Sequence, residues 1–129
     1  MSRTALVVDD SMLIRHCVCR FLEERGFALE TATNGQEAME LLKRVHPDLI
    51  VTDMQMPKMS GSDLITALKG EPATAKIPVI IVAGRRSGFD ETEKRANFAI
   101  YKDIDIETQL AKALDVIFSQ TKKSQAAGK

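Results

Sequence analysis

The chain has 129 residues, 44% of them apolar, a size at which one domain buries a core without disulfide or metal staples. Eighteen Lys and Arg balance eighteen Asp and Glu, so no global field draws the chain to nucleic acid or an anionic membrane, and any charge-based function is local. The opening MSRTALVVDDS lacks the long apolar core of a signal peptide, and no stretch approaches the ~18 apolar residues of a membrane span, so a cytoplasmic protein is expected.

Residues 4–8, TALVV, predict a buried strand. Ser11 then reads as a helix cap, and Leu13, Ile14, Cys17, Val18, Phe21 and Leu22 recur at helical spacing until Gly26 stops the run. Cys17 and Cys19, the two cysteines of the chain, point roughly 200° apart on that helix, so they neither pair nor clamp a metal. Cys17 reads as a small core residue and Cys19 as a surface thiol. Residues 27–32, FALETA, alternate as a half-exposed or edge strand does. From about Gln36, Ala38, Leu41, Leu42 and Val45 form an apolar helical stripe that ends before Pro47.

The runs DLIVT (48–52) and IPVIIVA (77–83) predict two more buried strands, and between them a short helix from Ser62 presents Leu64, Ile65 and Leu68, with Gly70 as its stop. Residues 84–97 are polar and poor in apolar positions, which leaves one short helix, Asp90 to Ala96, or mostly loop. A last strand, FAIY (98–101), precedes a helix capped by Asp103 or Asp105, in which Ile106, Leu110, Ala113, Leu114, Ile117 and Phe118 share one face. Residues 119–129 lack the apolar content to pack and are expected to form a loose tail beyond a domain of residues 1–118. The β-α order, repeated about five times with short connections, predicts a doubly wound parallel α/β sheet with helices on both faces.

Ligands bind such sheets at the carboxyl ends of the strands. The first predicted strand ends in Asp9 and Asp10, the third in Asp53, the fourth in Ala83 and Gly84, and the fifth in Lys102. Three carboxylates and an ammonium therefore converge on one mouth. Gathered acids repel unless a cation joins them, and hard oxygen donors with no nearby histidine favour Mg²⁺ over Zn²⁺. Asp9 and Asp10 taken alone also read as helix caps; Asp53 and Lys102 on the matching strands favour the metal. His16 and His46 lie away from the strand ends and read as surface residues. No GxxxxGK loop or GxGxxG fingerprint occurs, which argues against nucleotide binding.

The segments LVVDDS (6–11), LIVTDMQMPKMSG (49–61), IPVIIVA (77–83) and YK (101–102), together with NGQEAMELL (34–42), resemble the receiver domain of bacterial two-component response regulators. The resemblance spans residues 3–118 and is closest over 3–82. It implies a flavodoxin-like sheet with strand order 2-1-3-4-5, similar to single-domain chemotaxis regulators, with a fourth helix that is short or irregular. It implies Asp53 as phospho-acceptor from a histidine kinase or histidine phosphotransfer protein. Asp9, Asp10, Asp53 and the Gln55 backbone carbonyl would hold Mg²⁺, and Lys102 would contact the phosphoryl group. Pro57 and Gly61 would shape the loop presenting Asp53, while Met54, Met56 and Met59 would pack rather than react. A signalling module of this kind is not an enzyme beyond slow loss of its own phosphoryl group. It has no direct nucleic-acid partner and no membrane insertion, and its downstream protein partner is not named by the sequence.

The chain departs from the family pattern in its last third. Receivers usually end strand four with Ser or Thr, where this chain has Ala83; an aromatic often stands three residues before the lysine, where this chain has Ala99. Asp103 replaces the usual proline after the lysine, and the interval from Ala83 to Lys102 is about three residues short. One lost hydrogen bond to a phosphoryl group removes roughly 1.5 to 3 kcal/mol of coupling. The acceptor half thus looks intact and the output switch non-standard, with Arg85 and Arg86 as either solvated loop residues or substitutes that pair with the phosphoryl oxygens. Two readings stand: a phospho-accepting receiver, or a pseudo-receiver adaptor that works through protein contacts regardless of phosphorylation. A haloacid-dehalogenase-like phosphatase would need a second Asp two residues after Asp53, where Gln55 stands.

Overall fold

The computed structural model describes residues 3–54, 59–83, 97–101 and 105–127, with side chains through Phe118. Five parallel strands, β1 (Arg3–Val8), β2 (Phe27–Ala32), β3 (Leu49–Asp53), β4 (Val79–Ala83) and β5 (Phe98–Tyr101), form one sheet in the order β2-β1-β3-β4-β5. This is the order expected. Strands β1, β3 and β4 are apolar almost throughout because helices cover both faces, so from Ala5, Leu49 and Val79 onward their side chains are buried.

Alternation of side chains divides that core in two. Ala5, Val7, Leu49, Val51, Ile80, Val82 and Ile100 pack with Val18, Phe21 and Leu22 of α1 (Met12–Glu23) and with Leu110, Ala113 and Leu114 of α4 (Ile106–Ala127). Leu6, Val8, Ile50, Val79, Ile81 and Ala83 pack on the other face. They meet Ala38 and Leu42 of α2 (Gly35–Leu42) and Leu64, Ile65 and Leu68 of α3 (Gly61–Lys69).

Each helix starts on a side-chain cap. Ser11 Oγ accepts the Ile14 N–H at 3.3 Å, and Asn34 Oδ1 accepts the Glu37 N–H at 2.9 Å. Glu37 in turn accepts from the N–H and hydroxyl of Thr33, both at 2.8 Å. α3 starts at Gly61, one residue ahead of the Ser62 expected, and its cap is Ser60: Ser60 and Asp63 form a reciprocal capping box. Asp105 rather than Asp103 caps α4, its Oδ1 accepting from the N–H of Glu107 at 3.1 Å and of Thr108 at 3.4 Å. Gly26, at φ +90°, closes α1 in the left-handed region.

Two expectations are corrected. Leu13, assigned to the apolar stripe of α1, is 77% exposed, beside Met12 at 74%, because the buried face centres on Val18 and Leu13 lies well around the helix from it. Cys17 and Cys19 are both half-buried, and Cys19 is the one against the core; burial pushes its thiol pKa up, Glu23 adds to this and Arg15 opposes it. The two cysteines flank Val18 by one residue each, so both sit on the shoulders of the buried face. Beyond the domain end expected at residue 118, α4 continues as helix to Ala127. SQTKKSQAA contains no helix breaker, and an established helix adds one hydrogen bond per residue. The segment from Asp90 to Ala96 lies outside the described residues. Among the described residues, no helix is long and apolar enough to cross a membrane.

Candidate functional site

Strand register sets the site. Val8 lies opposite Thr52 and Asp53 opposite Val82, so Asp9, one residue past β1, stands beside Asp53 at the same sheet edge. Ala83 lies one residue beyond Asp53 on the next strand and faces Tyr101 of β5. Carboxylate oxygens of Asp9, Asp10 and Asp53 all come within 4.8 Å of one another. Asp9 is 2% and Asp53 3% exposed, while Asp10 opens to solvent.

Asp9 is fixed on several sides. Its N–H donates to the Ala32 carbonyl at 3.1 Å, its Oδ1 accepts the Ser11 N–H at 2.8 Å, and its carbonyl accepts Arg15 Nη1 at 2.7 Å. Ser11, and not either aspartate, caps α1, so the two acids stand ahead of the helix and are available to the site. Asp53 ends β3 on a buried platform. The Thr52 hydroxyl donates to the Asp53 carbonyl at 3.0 Å, and the Met54 N–H donates to the Val82 carbonyl at 3.2 Å.

Gly61 then brings α3 back against this turn, its N–H donating to the Met54 carbonyl at 2.9 Å. A Cβ there would overlap the Asp53 carbonyl oxygen and come within 2.9 Å of the Met54 Cα. The role assigned to Gly61 from the sequence therefore has a steric basis. Met54 is buried, and Met59 packs on Gly35, where a Cβ would lie 2.7 Å from the Met59 Cβ and Cγ, so these two methionines pack as expected.

Gln55, Met56, Pro57, Arg85, Arg86, Lys102 and Asp103 lie outside the described residues. Ala83 and Ala99 fall on the same face of the sheet, Ala83 buried and Ala99 half-buried. His16 and His46 are not at the strand ends that carry the acids: both are exposed, His16 on α1 and His46 beside Pro47 at the opposite end of β3. Three residues near the site were not foreseen: Arg15, whose reach back to Asp9 spans six positions; Thr52; and Gln109 of α4, whose Oε1 accepts the Tyr101 N–H and whose Nε2 donates to the Tyr101 carbonyl, both at 2.9 Å. An amide on a polar helix face gives no sequence signal for such a contact.

Three oxygen donors with no His or Cys among them suit a hard divalent cation that keeps several waters, which is Mg²⁺ before Zn²⁺. Two of the acids are buried, where like charge is most costly without a cation. A concavity of about 560 Å³ lies elsewhere, lined by Arg3, Asp48, Lys76, Pro78, Asn97 and Phe118 among others. The acid cluster is the better site because it gathers the chemistry.

Comparison with known proteins agrees with this geometry. The model of the response regulator receiver domain matches residues 5–115. The gliding motility regulatory protein of Myxococcus xanthus is 41% identical over 86 residues, covering 67% of this chain and 11% of that protein. The chain spans 55% of the length of the response regulator MprA of Mycobacterium tuberculosis, to which it is 28% identical, and so covers only part of these relatives. Among solved structures, the signal receiver domain of a signal transduction histidine kinase from Syntrophus aciditrophicus superposes with a TM-score of 0.83 at 32% identity, covering 94% of this chain and 93% of that one. The receiver domain of a Pseudomonas aeruginosa sensor histidine kinase, with a magnesium ion coordinated in its active-site cleft, shares the fold at a TM-score of 0.79 and 18% identity, over 89% and 96% of the two chains. With the parallel sheet, the acid cluster and the family match in agreement, this chain belongs to the response regulator receiver domains of two-component signalling.

Proposed function

We propose that the chain accepts a phosphoryl group on Asp53 from a phosphohistidine of a histidine kinase or histidine phosphotransfer protein. The supporting observation is the convergence of Asp9, Asp10 and Asp53 within 4.8 Å at the carboxyl edge of the sheet. In the transfer, a carboxylate oxygen of Asp53 bonds to phosphorus as the phosphorus–nitrogen bond of the donor breaks. The imidazole nitrogen keeps the electron pair and takes up a proton. A carboxylate is a weak nucleophile, so rate comes from alignment and charge cancellation. Bound Mg²⁺ supplies cancellation of charge on the phosphoryl oxygens. Asp9, Asp10, Asp53 and the Gln55 carbonyl are the residues proposed to hold it, as magnesium is held in the cleft of the similar Pseudomonas domain. The rigid seats of Asp9 and Asp53 keep two donors oriented without reorganisation, and Lys102 is proposed to meet the phosphoryl group from β5.

Output is proposed to be non-standard. Ala83 offers the phosphoryl group a methyl and no donor, and Ala99 has no ring to swing. Phosphoryl transfer onward, or a partner that reads the segment from 84 to 90, would then replace the usual hydroxyl-coupled movement. The adaptor reading is favoured by these same two alanines and by nothing in the acid cluster. Titration with beryllofluoride and Mg²⁺, followed by amide chemical shifts, tests both readings. The proposal expects saturable shifts at residues 9, 10 and 53 that vanish in Asp53→Asn; their absence in the wild-type chain would leave the adaptor reading.

A further inference from the structure

Both peptide units that flank the Asp10 Cα are anchored. The unit before it joins the Asp9 carbonyl to the Asp10 nitrogen, and Arg15 Nη1 donates to that carbonyl at 2.7 Å. The unit after it joins the Asp10 carbonyl to the Ser11 nitrogen, and Asp9 Oδ1 accepts the Ser11 N–H at 2.8 Å. Arg15 is itself seated on the first turn of α1, its N–H donating to the Ser11 carbonyl at 3.0 Å. A closed set of hydrogen bonds therefore runs from Asp9 through Ser11 and Arg15 back to Asp9.

The consequence falls on Asp10. With the two planar units fixed, the soft torsions between them, φ and ψ of Asp10, are fixed too, and with them the direction of its Cα–Cβ bond. Packing orients Asp9 and Asp53, which are buried, but Asp10 is the exposed member of the cluster and depends on its backbone. We infer that Arg15 is a positioning residue for the divalent cation: by holding the Asp9 carbonyl it aims the Asp10 carboxylate at the site shared with Asp9 and Asp53. The inference rests on the reading of this cluster as the Mg²⁺ site and adds a residue to it. Groups that orient metal ligands without touching the metal commonly change its affinity by about 10- to 100-fold.

Removing Arg15 has two opposite effects on a bound cation. The Asp9–Asp10 peptide is released, which weakens binding; a positive charge near the acids is lost, which strengthens it. Salt separates the two, because the charge effect fades at roughly 1 M, where the screening length is about 3 Å, while the loss of orientation persists. The test titrates Mg²⁺ at that salt into the whole chain and four variants: Arg15→Met, Arg15→Lys, Asp10→Ala and the Arg15→Met/Asp10→Ala pair. Amide chemical shifts report both binding and the integrity of the sheet.

Arg15→Met, which keeps the helix propensity and removes the donor, is expected to bind Mg²⁺ about tenfold more weakly. Arg15→Lys keeps the charge and one donor without the planar fork, and should fall between Arg15→Met and wild type. In the Asp10→Ala background Arg15→Met should add little, as for two residues acting through one contact. Without metal, Arg15→Met must also move the amide resonances of Asp10 and Ser11. Wild-type or tighter Mg²⁺ binding in every folded Arg15 variant, additive losses in the pair, or unmoved amide resonances would overturn the inference and leave the Mg²⁺ reading standing. A wild-type chain whose acids bind no Mg²⁺ would overturn that reading, and the inference with it.

Discussion

The backbone of Gly61 lies against the carbonyl of Asp53 so closely that no side chain fits between them. Gly61→Ala must push the start of α3 away from the end of β3 or rotate the Asp53 carbonyl. Either movement disturbs a packed interior and is expected to cost about 1–3 kcal/mol, read by denaturant unfolding. Gly35→Ala meets a side chain, Met59, instead of backbone. It should cost less, and its NMR perturbation should centre on Met59 rather than on Asp53.

Exposure along α1 separates two leucines that the sequence pattern treats alike. Leu22 is fully buried, and Leu22→Ala is expected to lose about 2–5 kcal/mol of stability. Leu13 is 77% exposed, and Leu13→Ala should stay within about 0.5 kcal/mol of wild type. A thermal melt of the two variants beside wild type checks the contrast.

Like charge at the acid cluster predicts how stability responds to metal. Mg²⁺ binding the folded chain should raise the melting temperature, by about 2.7 kcal/mol of stabilisation at roughly a hundredfold excess over Kd. Asp9→Asn and Asp53→Asn remove one of three close charges. Both are expected to be at least as stable as wild type without metal and to gain less from Mg²⁺. Controls with a chelator at matched ionic strength isolate the effect from screening.

The cap of α4 gives a pH dependence. The Thr108 hydroxyl, with the Thr108 and Glu107 N–H groups behind it, holds the Asp105 carboxyl below the usual carboxylate range. A depressed folded pKa contributes stability that is present above the unfolded value, about 3.9, and is lost as pH falls through the folded one. Asp105→Ala should therefore be less stable than wild type at neutral pH, with the two converging in acid. Asp105→Ser, which caps without titrating, should keep the stability and lose that part of the acid dependence.

Much of the fold was legible because it depends on local pattern: β-branched runs fix β1, β3 and β4, and caps and helical spacing fix the helices between them. Asp9, Asp10 and Asp53 were legible as a site because parallel topology brings strand ends together, whatever the distance in sequence. What escaped the sequence was of two kinds. Ser60 and the true cap of α4 were written in short signatures whose exact residue only the hydrogen bonds settle. The Arg15 contact to Asp9, the facing direction of Leu13, and the Gln109 clamp depend on where a polar or apolar side chain points once helices are docked, and residue type alone does not encode that.

Phosphoryl transfer to Asp53 is tested most directly by the intact mass of the chain after incubation with a small-molecule phosphodonor and Mg²⁺. The expected result is the added mass of one phosphoryl group, its disappearance when a chelator replaces Mg²⁺, and its absence in Asp53→Asn. An adduct that persists at full yield in Asp53→Asn, or no adduct in the wild-type chain, would show that Asp53 is not the acceptor.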